Sequence, residues 1–461
     1  MRHYSTVREL HDAYRKGEIT PLVYTTWLIE RAESDEFERG TFTAILKERA
    51  LSEASASTAR YNAGNPIGLF DGVPIVWKDL FDIKGEITTG SSLAYLDAEP
   101  SKFDAPAVAF YSEQGGINLA KVGLSELAYS GLGINPGMGT PSNPASHTEK
   151  RIPGGSSSGT AVAVKKGLVS VGMGTDTSGS IRIPASFQGL YGYKPSRDFY
   201  HNSAGIMPLS TTLDSYGPIA ESFQDCFDLY SLFNEKSLTA LSDLALENTL
   251  SAESSQAYRY IVPINILPAL DLEVRALFET TMEILEDQGL NIEWIEVPEI
   301  DAVSELTNQY GTFASAEACF THRERLNDER RALIHPRVLS RMSRGDSMSA
   351  VDYVALTHGR SRLLEVMKTQ YHNALFLMPT TPMEAPLLAP LEADDELFHT
   401  TNLRSMSLTV AGNFLAWDSI TMPMGLGHHD MPLGLMLSSV DQNVERLFNE
   451  CYKIDAMISG K

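Results

Sequence analysis

The chain has 461 residues, of which 43% are hydrophobic and 21% are charged, values typical of a globular protein and unlike those of disordered or fibrous chains. It carries 37 Lys and Arg against 59 Asp and Glu, a formal net charge of −22, which argues against direct binding to nucleic acid or anionic lipid. Its three cysteines are far apart and odd in number, which favours reduced thiols over a disulfide framework or a zinc site.

Helices and strands are predicted to alternate from the N-terminus. Residues 1–10 lack the apolar segment of a signal peptide, and no stretch approaches the roughly 20 apolar residues of a membrane helix, so a cytoplasmic protein is expected. Two helices are predicted between residues 7 and 36, the second starting at Thr20-Pro21, where threonine caps the helix and proline fits its first turn. An apolar strand is predicted from Gly72 to Val76, which places Lys78 at or just past its end.

Two serine-rich loops flank one short strand further along the chain. The loop from Gly154 to Gly159 leads into a helix that Gly167 ends, and the strand from Val169 to Met173 ends in the turn from Thr175 to Ser180. Both loops therefore border the same strand. The other elements predicted before residue 200 are a helix over 105–114, a strand over 117–121, a loop over 132–144 that could wall a pocket, and an extended segment over 190–193.

The second half of the chain is predicted to contain a helix between two strands. Asp271 can cap a helix that Gly289 ends, a strand over 291–297 follows, and this order implies a crossover connection. Residues 241–256 are interpreted as a surface connection or lobe boundary. The apolar face of the helix consists of Val274, Leu277, Phe278, Met282 and Leu285, and further strands are predicted over 374–378 and 432–437.

Lys78 and the two serine loops contain the parts of a serine acyl-transfer site. A serine hydroxyl needs a neighbouring base to take its proton, and the oxyanion that forms needs backbone donors aimed at it. The neighbours Trp77 and Leu80 are apolar, and burial lowers a lysine pKa from about 10.4 by several units, which makes a neutral amine available near pH 7. The sequence therefore predicts a lysine base, a bridging serine and a glycine-rich turn.

Two serines compete for the role of nucleophile. The segment from Gly155 to Gly159 matches G-x-S-x-G, a nucleophile elbow that would make Ser157 the nucleophile. Such an elbow follows a buried strand, but the preceding residues 148–153 are polar and end in proline. The predicted strand precedes Ser180 instead. The S-x-x-K arrangement is absent from the sequence, so Lys78 has to meet its serine through the fold.

Several segments together resemble the amidase signature family. The densest match runs from Gly154 to Pro195, and its two serines, Ser156 and Ser180, are 180 − 156 = 24 residues apart, a spacing similar to that of the family's catalytic pair. The segment Gly72 to Asp79 resembles the family's lysine strand, and segments 378–382 and 432–435 resemble its C-terminal landmarks. The chain is identified as a member of this family on these motifs.

The resemblance implies a role for each matching residue. Ser180 is the nucleophile, Ser156 the bridging serine after a cis peptide bond, and Lys78 the base. The expected oxyanion hole consists of the backbone N–H groups of Thr177, Ser178, Gly179 and Ser180. Asp176 and Arg182 are expected to hold the loop, Ser157 to position Lys78, and Tyr129 and Met138, from the wall over 124–139, to contact substrate. No cofactor and no metal are expected.

Two loop residues depart from the family pattern without removing a member of the triad. Ser158 stands where many members have glycine, and Ser178 where glycine or asparagine is frequent. Activity is expected to survive both changes.

The resemblance also implies an α/β fold, with a large mixed β-sheet covered by helices in one domain over 1–461. Its expected parts are N-terminal packing helices over 1–60, the signature core over 60–230, a more variable region over 231–370 and a C-terminal part of the core over 371–461.

The leading functional hypothesis is an amidohydrolase that cleaves the C–N bond of a small carboxamide. The alternatives are the glutaminase subunit of a tRNA-dependent amidotransferase and a catalytically inert scaffold. A homodimer is possible, since dimers are common in the family.

Overall fold

An 11-stranded mixed β-sheet forms the centre of the computed structural model, which describes residues 1–196, 203–234, 258–441 and 443–460. The strands are β1 (Phe42–Ile45), β2 (Pro74–Lys78), β3 (Ile117–Val122), β4 (Val171–Asp176), β5 (Tyr191–Lys194), β6 (Ser215–Ala220), β7 (Arg259–Pro263), β8 (Ile292–Ile295), β9 (Ala374–Pro379), β10 (Asp418–Leu426) and β11 (Pro432–Ser439). Their order across the sheet is β1-β3-β2-β4-β6-β5-β10-β11-β9-β7-β8. Strands from the first and last parts of the chain thus share one sheet, which confirms the predicted α/β class.

Helices cover this sheet along most of the described chain. They are α1 (Val7–Arg15), α2 (Pro21–Ala32), α3 (Lys47–Asn62), α4 (Pro106–Glu113), α5 (Ser158–Lys165), α6 (Arg182–Gln188), α7 (Phe223–Phe233), α8 (Leu272–Asp287), α9 (Pro298–Tyr310), α10 (Phe313–Thr321), α11 (Arg323–Leu326), α12 (Pro336–Met342), α13 (Ala350–Gln370), α14 (Leu388–Ala393), α15 (Asp395–Met406), α16 (Val410–Phe414) and α17 (Val444–Ser459). Short 3₁₀ segments are Leu93–Tyr95, Glu126–Ala128, Ile264–Ala269, Glu329–Leu333 and Ser343–Ser347.

Strands β2 and β4 bring the predicted site together. They are parallel neighbours, with Val76 opposite Gly172 and Trp77 opposite Met173, so their C-terminal residues Lys78 and Asp176 lie at the same edge of the sheet. Every residue of both strands is buried. A Cβ on Gly172 would lie 2.7 Å from the Thr160 side chain and 2.8 Å from that of Val76, so glycine at this position allows α5 to pack closely on the strand.

Most of the predicted elements are confirmed. Thr20 accepts a hydrogen bond from the Val23 N–H at the start of α2, as predicted for an N-cap, and β7, α8 and β8 form the predicted crossover with β7 parallel to β8. Asp271 precedes α8, but its carboxylate accepts from Arg404 at 2.6 Å and does not cap the helix.

Four strands had no range predicted from the sequence: β1, β6, β7 and β10. Residues 241–256, predicted as a surface connection, lie outside the described residues.

The described cysteines Cys226, Cys319 and Cys451 are free thiols. Among the helices of the described ranges, none combines the length and apolar character required to cross a membrane.

Candidate active site

Lys78 is fully buried where β2 ends. Its Nζ lies 2.7 Å from Ser156 Oγ, 2.7 Å from Thr175 Oγ1 and 3.3 Å from the Thr175 carbonyl oxygen. Burial lowers the pKa of Lys78 to about 7, although the nearby negative charges of Asp176 and Asp214 oppose that shift. A lysine amine in hydrogen-bond contact with a serine hydroxyl can therefore be neutral at physiological pH.

Ser156, the predicted bridging serine, lies in a loop that backbone hydrogen bonds hold. The Gly155–Ser156 peptide bond is cis, as the family resemblance implied. The Gly155 N–H donates to the Gly131 carbonyl at 2.8 Å, and the Ser156 carbonyl accepts from the N–H groups of Ser125 at 3.1 Å and Ser158 at 2.8 Å. Residues Ser125 and Gly131 therefore hold this loop on both sides of the Gly155–Ser156 bond.

Ser180 lies in the turn between β4 and α6 and is 7% exposed. Its carbonyl accepts from the Ser157 N–H at 3.2 Å, which joins the two serine loops directly. Among the described residues, the N–H groups of Thr177, Ser178 and Ser180 have no acceptor in the protein, whereas the Gly179 N–H donates to Asp176 Oδ1 at 2.7 Å. Gly179 has φ +124°, a conformation that suits glycine because it has no Cβ.

A buried ion pair between Arg182 and Asp176 supports the turn that contains Ser180. The Arg182 Nε and Nη2 each donate to the Asp176 carboxylate at 3.0 Å, and both side chains have no solvent exposure. Burial alone would raise the pKa of Asp176, but Arg182 outweighs it and holds the pKa well below its usual range. Asn413 donates to Asp176 Oδ1 at 3.0 Å and accepts from Arg182 at 2.6 Å. The predicted partnership of Asp176 and Arg182 is thus present, and Asn413 completes it.

Two further side chains that were not predicted from the sequence hold the turn. Thr177 Oγ1 donates to Asp214 Oδ1 at 2.5 Å, and Thr409 Oγ1 donates to the Ser178 carbonyl at 2.6 Å. The other oxygen of Asp214 accepts two backbone N–H groups, and burial raises its pKa to about 6. Asp214 and Thr409 belong to no sequence motif, so only their proximity to the turn in the structure identifies them.

Ser157, considered above as an elbow nucleophile, contacts Thr175. Its Oγ donates to the Thr175 carbonyl at 3.2 Å and accepts from the Thr175 N–H at 3.3 Å. Thr175 also contacts the Lys78 amine, so a single residue separates Ser157 from Lys78. Its loop follows coil, whereas strand β4 precedes the turn of Ser180, as predicted.

The two predicted substrate contacts lie in different places. Tyr129 is buried and packs against Arg341, whose Cζ lies 4.8 Å from the centroid of the tyrosine ring. Met138 is partly buried in a turn where its N–H donates to Asn135 at 3.0 Å, next to Gly139, which packs against Arg39. Tyr129 is two residues from Gly131, which contacts the serine loop, whereas Met138 lies between Gly137 and Gly139, which both contact Arg39.

Comparison with known proteins gives one consistent result. The sequence profile of the family described as Amidase matches residues 24–445. The chain is 30% identical over 421 residues to 2-amino-5-chloromuconic acid deaminase from Comamonas testosteroni, covering 89% of this chain and 87% of that protein. It is 29% identical over 466 residues to a glutamyl-tRNA(Gln) amidotransferase subunit from Chlamydia pneumoniae, covering 95% and 92%. A crystal structure of an amidase matches with a TM-score of 0.83 at 28% identity, covering 98% of this chain and 99% of that one.

Proposed function

The chain belongs to the amidase family, and from that premise we propose that it hydrolyses a small carboxamide through an acyl-enzyme on Ser180. Ser180 Oγ attacks the carbonyl carbon, the C–N bond breaks, and the nitrogen leaves as an amine or ammonia. Water then attacks the ester, which releases a carboxylic acid and restores the serine.

Lys78 and Ser156 relay the proton in this proposal. Neutral Lys78 takes the proton of Ser156 while Ser156 takes that of Ser180, and the same path returns a proton to the leaving nitrogen. The observation that carries the proposal is the fully buried amine 2.7 Å from Ser156 Oγ. In the part of the chain that the structure describes, no carboxylate forms an ion pair with this amine, and burial outweighs the charges of Asp176 and Asp214, which favour the ammonium form.

The oxyanion would be bound by the backbone of the turn that contains Ser180. Three N–H groups without an acceptor in the described protein, those of Thr177, Ser178 and Ser180, support this assignment. The Gly179 N–H is bonded to Asp176, so it is left out of the proposed set. Loss of one such donor costs about 10²–10³-fold in rate in other enzymes.

The decisive experiment is covalent labelling by a fluorophosphonate probe, with the modified residue located by mass spectrometry. We expect an adduct on Ser180, and a loss of about 10⁶-fold in kcat for Ser180→Ala, as when a serine hydrolase loses its nucleophile. The matched variant Ser157→Ala should still be labelled. An adduct on Ser157 would support the elbow instead, and a folded protein with neither adduct nor hydrolysis would be an inert scaffold.

A second candidate function is that of a glutaminase subunit. The similarity to the amidotransferase subunit over 95% of the chain favours it. Purification from the native host and assay with L-glutamine separate the two functions. A chain that hydrolyses small amides by itself and co-purifies with no binding subunit is an independent amidohydrolase, whereas glutamine hydrolysis that needs a co-purified partner supports the second function.

A further inference from the structure

We propose that Glu317, on α10, is a positioning residue for the turn that contains Ser180. It holds the loop over residues 209–214, and this loop holds Thr177 of the turn through Asp214. The inference rests on the acyl-enzyme function proposed above and adds a remote residue on which the oxyanion site depends. Each link of this connection is a hydrogen bond between described residues.

Asp214 and Thr177 lie side by side because of the register of two strands. Strands β4 and β6 are antiparallel, and Asp176, the last residue of β4, lies opposite Ser215, the first residue of β6. The next residues, Thr177 and Asp214, therefore meet just outside the sheet. Thr177 Oγ1 donates to Asp214 Oδ1 at 2.5 Å, so Asp214 is bonded directly to a side chain of the turn that contains Ser180.

Ser210 fixes Asp214 within the 209–214 loop. The Asp214 Oδ2 accepts from the N–H groups of Leu209 at 2.9 Å and Ser210 at 3.0 Å. The Asp214 N–H donates to the Ser210 carbonyl at 2.8 Å. Because Ser210 is fully buried and binds Asp214 through both backbone groups, the position of Ser210 determines the orientation of the Asp214 carboxylate.

Glu317 is the acceptor that holds Ser210 and its neighbour Thr212. The Glu317 Oε2 accepts from Ser210 Oγ at 2.6 Å and from the Thr212 N–H at 3.0 Å, and Oε1 accepts from Thr212 Oγ1 and from the Tyr353 hydroxyl at 2.7 Å. A carboxylate offers about four lone-pair sites, so these four donors use its full capacity. Three of them belong to the 209–214 loop.

The contacts of Glu317 serve the loop and not its own helix. Helix α10 has its own N-cap, because the Thr312 side chain accepts from the Ser315 N–H. The donors to Glu317 lie 36 to 107 residues away along the chain. A carboxylate whose four hydrogen bonds all leave its helix is suited to hold a distant segment in place.

The connection matters because the Thr177 N–H belongs to the proposed oxyanion hole. Donors of this kind act when they are held in position before the reaction, and a displacement of about 1 Å can cost about 10²-fold in rate. Without Glu317, Ser210 and Thr212 lose their shared acceptor, and the loop is free to shift. Asp214 then orients the Thr177 side chain less well, and the turn binds the oxyanion more weakly.

The first test measures how fast a fluorophosphonate probe labels Ser180. Ser180 Oγ displaces fluoride from phosphorus, and a phosphoryl oxygen takes the position of the oxyanion. Glu317→Gln should lower the limiting rate constant of labelling about 10- to 100-fold. The probe concentration that gives half the limiting rate should stay within about twofold of the wild-type value, because the turn acts on the transition state. An unchanged limiting rate, or a change in the half-maximal concentration alone, would overturn the inference.

Tyr353→Phe is the matched control for Glu317→Gln. It removes one of the four hydrogen bonds of Glu317, leaves the three from the loop, and keeps the ring that packs on Phe313. Its limiting rate should stay within about twofold of the wild type, and urea denaturation checks that both variants are folded in the assay. Equal losses of rate in the two variants would show that Glu317 only joins α10 to α13, and the inference would fail.

The second test asks whether Glu317 acts through Thr177. Thr177→Val removes the hydroxyl that binds Asp214 and keeps the backbone N–H of the turn. In the Thr177→Val protein, adding Glu317→Gln should cost less than about threefold in the limiting rate, because residues on one connection are not additive. Losses that multiply in full would place Glu317 on an independent route and overturn the inference.

A further variant keeps the test decisive if Glu317→Gln does not fold. Ser210→Ala removes the hydroxyl that joins the loop to Glu317, the same loss of limiting rate is expected, and a wild-type rate overturns the inference. Failure of the inference also differs from failure of the proposed function. In the first case the wild type is labelled on Ser180 and the variants do not differ as expected, whereas in the second the wild type is not labelled there.

Discussion

Two buried lysines near Asp176, in front of the turn that contains Ser180, differ in their hydrogen-bond partners. Lys78 and Lys194 are both at most 1% exposed, and burial lowers the pKa of each to about 7. The Lys78 amine contacts two hydroxyl groups, those of Ser156 and Thr175. The Lys194 amine donates to the backbone carbonyls of Pro195 and Trp417.

Lys78 and Lys194 differ in their hydrogen-bond partners and not in their burial. A hydroxyl can give up a proton, so the Lys78 amine has a group from which it can accept one. A carbonyl oxygen only accepts hydrogen bonds, so the contacts of Lys194 favour its ammonium form and serve to join β5 to the segment before β10. A shifted lysine pKa by itself therefore does not identify a catalytic base.

Between the two lysines, Lys78→Met should have the larger effect on chemistry. Removing the base should lower kcat for amide hydrolysis by about 10²–10⁴-fold, the usual contribution of a general base. The free energy of unfolding should change little, because the freed hydroxyls can rotate toward other partners and the Thr175 carbonyl still accepts from Ser157. Steady-state kinetics and urea denaturation of the same preparation measure both. Full activity in a folded Lys78→Met protein would remove Lys78 from the mechanism.

Lys194→Met should instead lower stability, with a smaller effect on activity. It leaves two buried carbonyls without a donor, which costs about 1–3 kcal/mol of unfolding free energy, and it removes a cation beside the buried Asp418. The loss of kcat should be smaller than for Lys78→Met. Urea denaturation measures the stability. A stable Lys194→Met protein without activity would contradict the assignment of Lys194 to structure.

The smallest expected effect is on the pH dependence of kcat/KM, and it is the effect most specific to Lys78. Because the relay needs the neutral amine, kcat/KM for an uncharged amide should rise with pH up to about 7, the pKa of Lys78, and level off above it. The Asp214 charge raises the pKa of Lys78, so Asp214→Asn should move the rising limb to lower pH, by up to about 1 unit.

Asp225→Asn is the matched control for that shift. Asp225 is a buried carboxyl whose pKa burial also raises, but it binds the Val7 N–H, away from Lys78. Replacing Asp225 should leave the rising limb of the kcat/KM profile at the same pH. If Asp214→Asn and Asp225→Asn give the same profile as the wild type, the limb does not report the ionisation of Lys78.

Contiguous motifs made the centre of the site predictable from the sequence. Lys78 follows an apolar strand, and Ser156 and Ser180 lie in glycine-rich loops on either side of another. Local patterning therefore located the lysine and the two loops, and the family resemblance selected the two serines. Asp214 and Asn413 could not be found in this way, because each reaches the turn from a distant part of the chain and has no local signal. Strand β10, which lies beside β5, was missed as well.

The amino-acid sequence by itself determined the α/β class and the order of most elements, and its motifs predicted Lys78, Ser156 and Ser180 as the site. Tertiary structure alone decided which buried lysine meets a hydroxyl, which backbone N–H groups remain available in the turn, and that Arg341 stacks on Tyr129 across 212 residues. The physical reason is that apolar periodicity and turn residues act over a few positions. Desolvation and hydrogen-bond partners depend instead on groups that the fold brings together from distant segments.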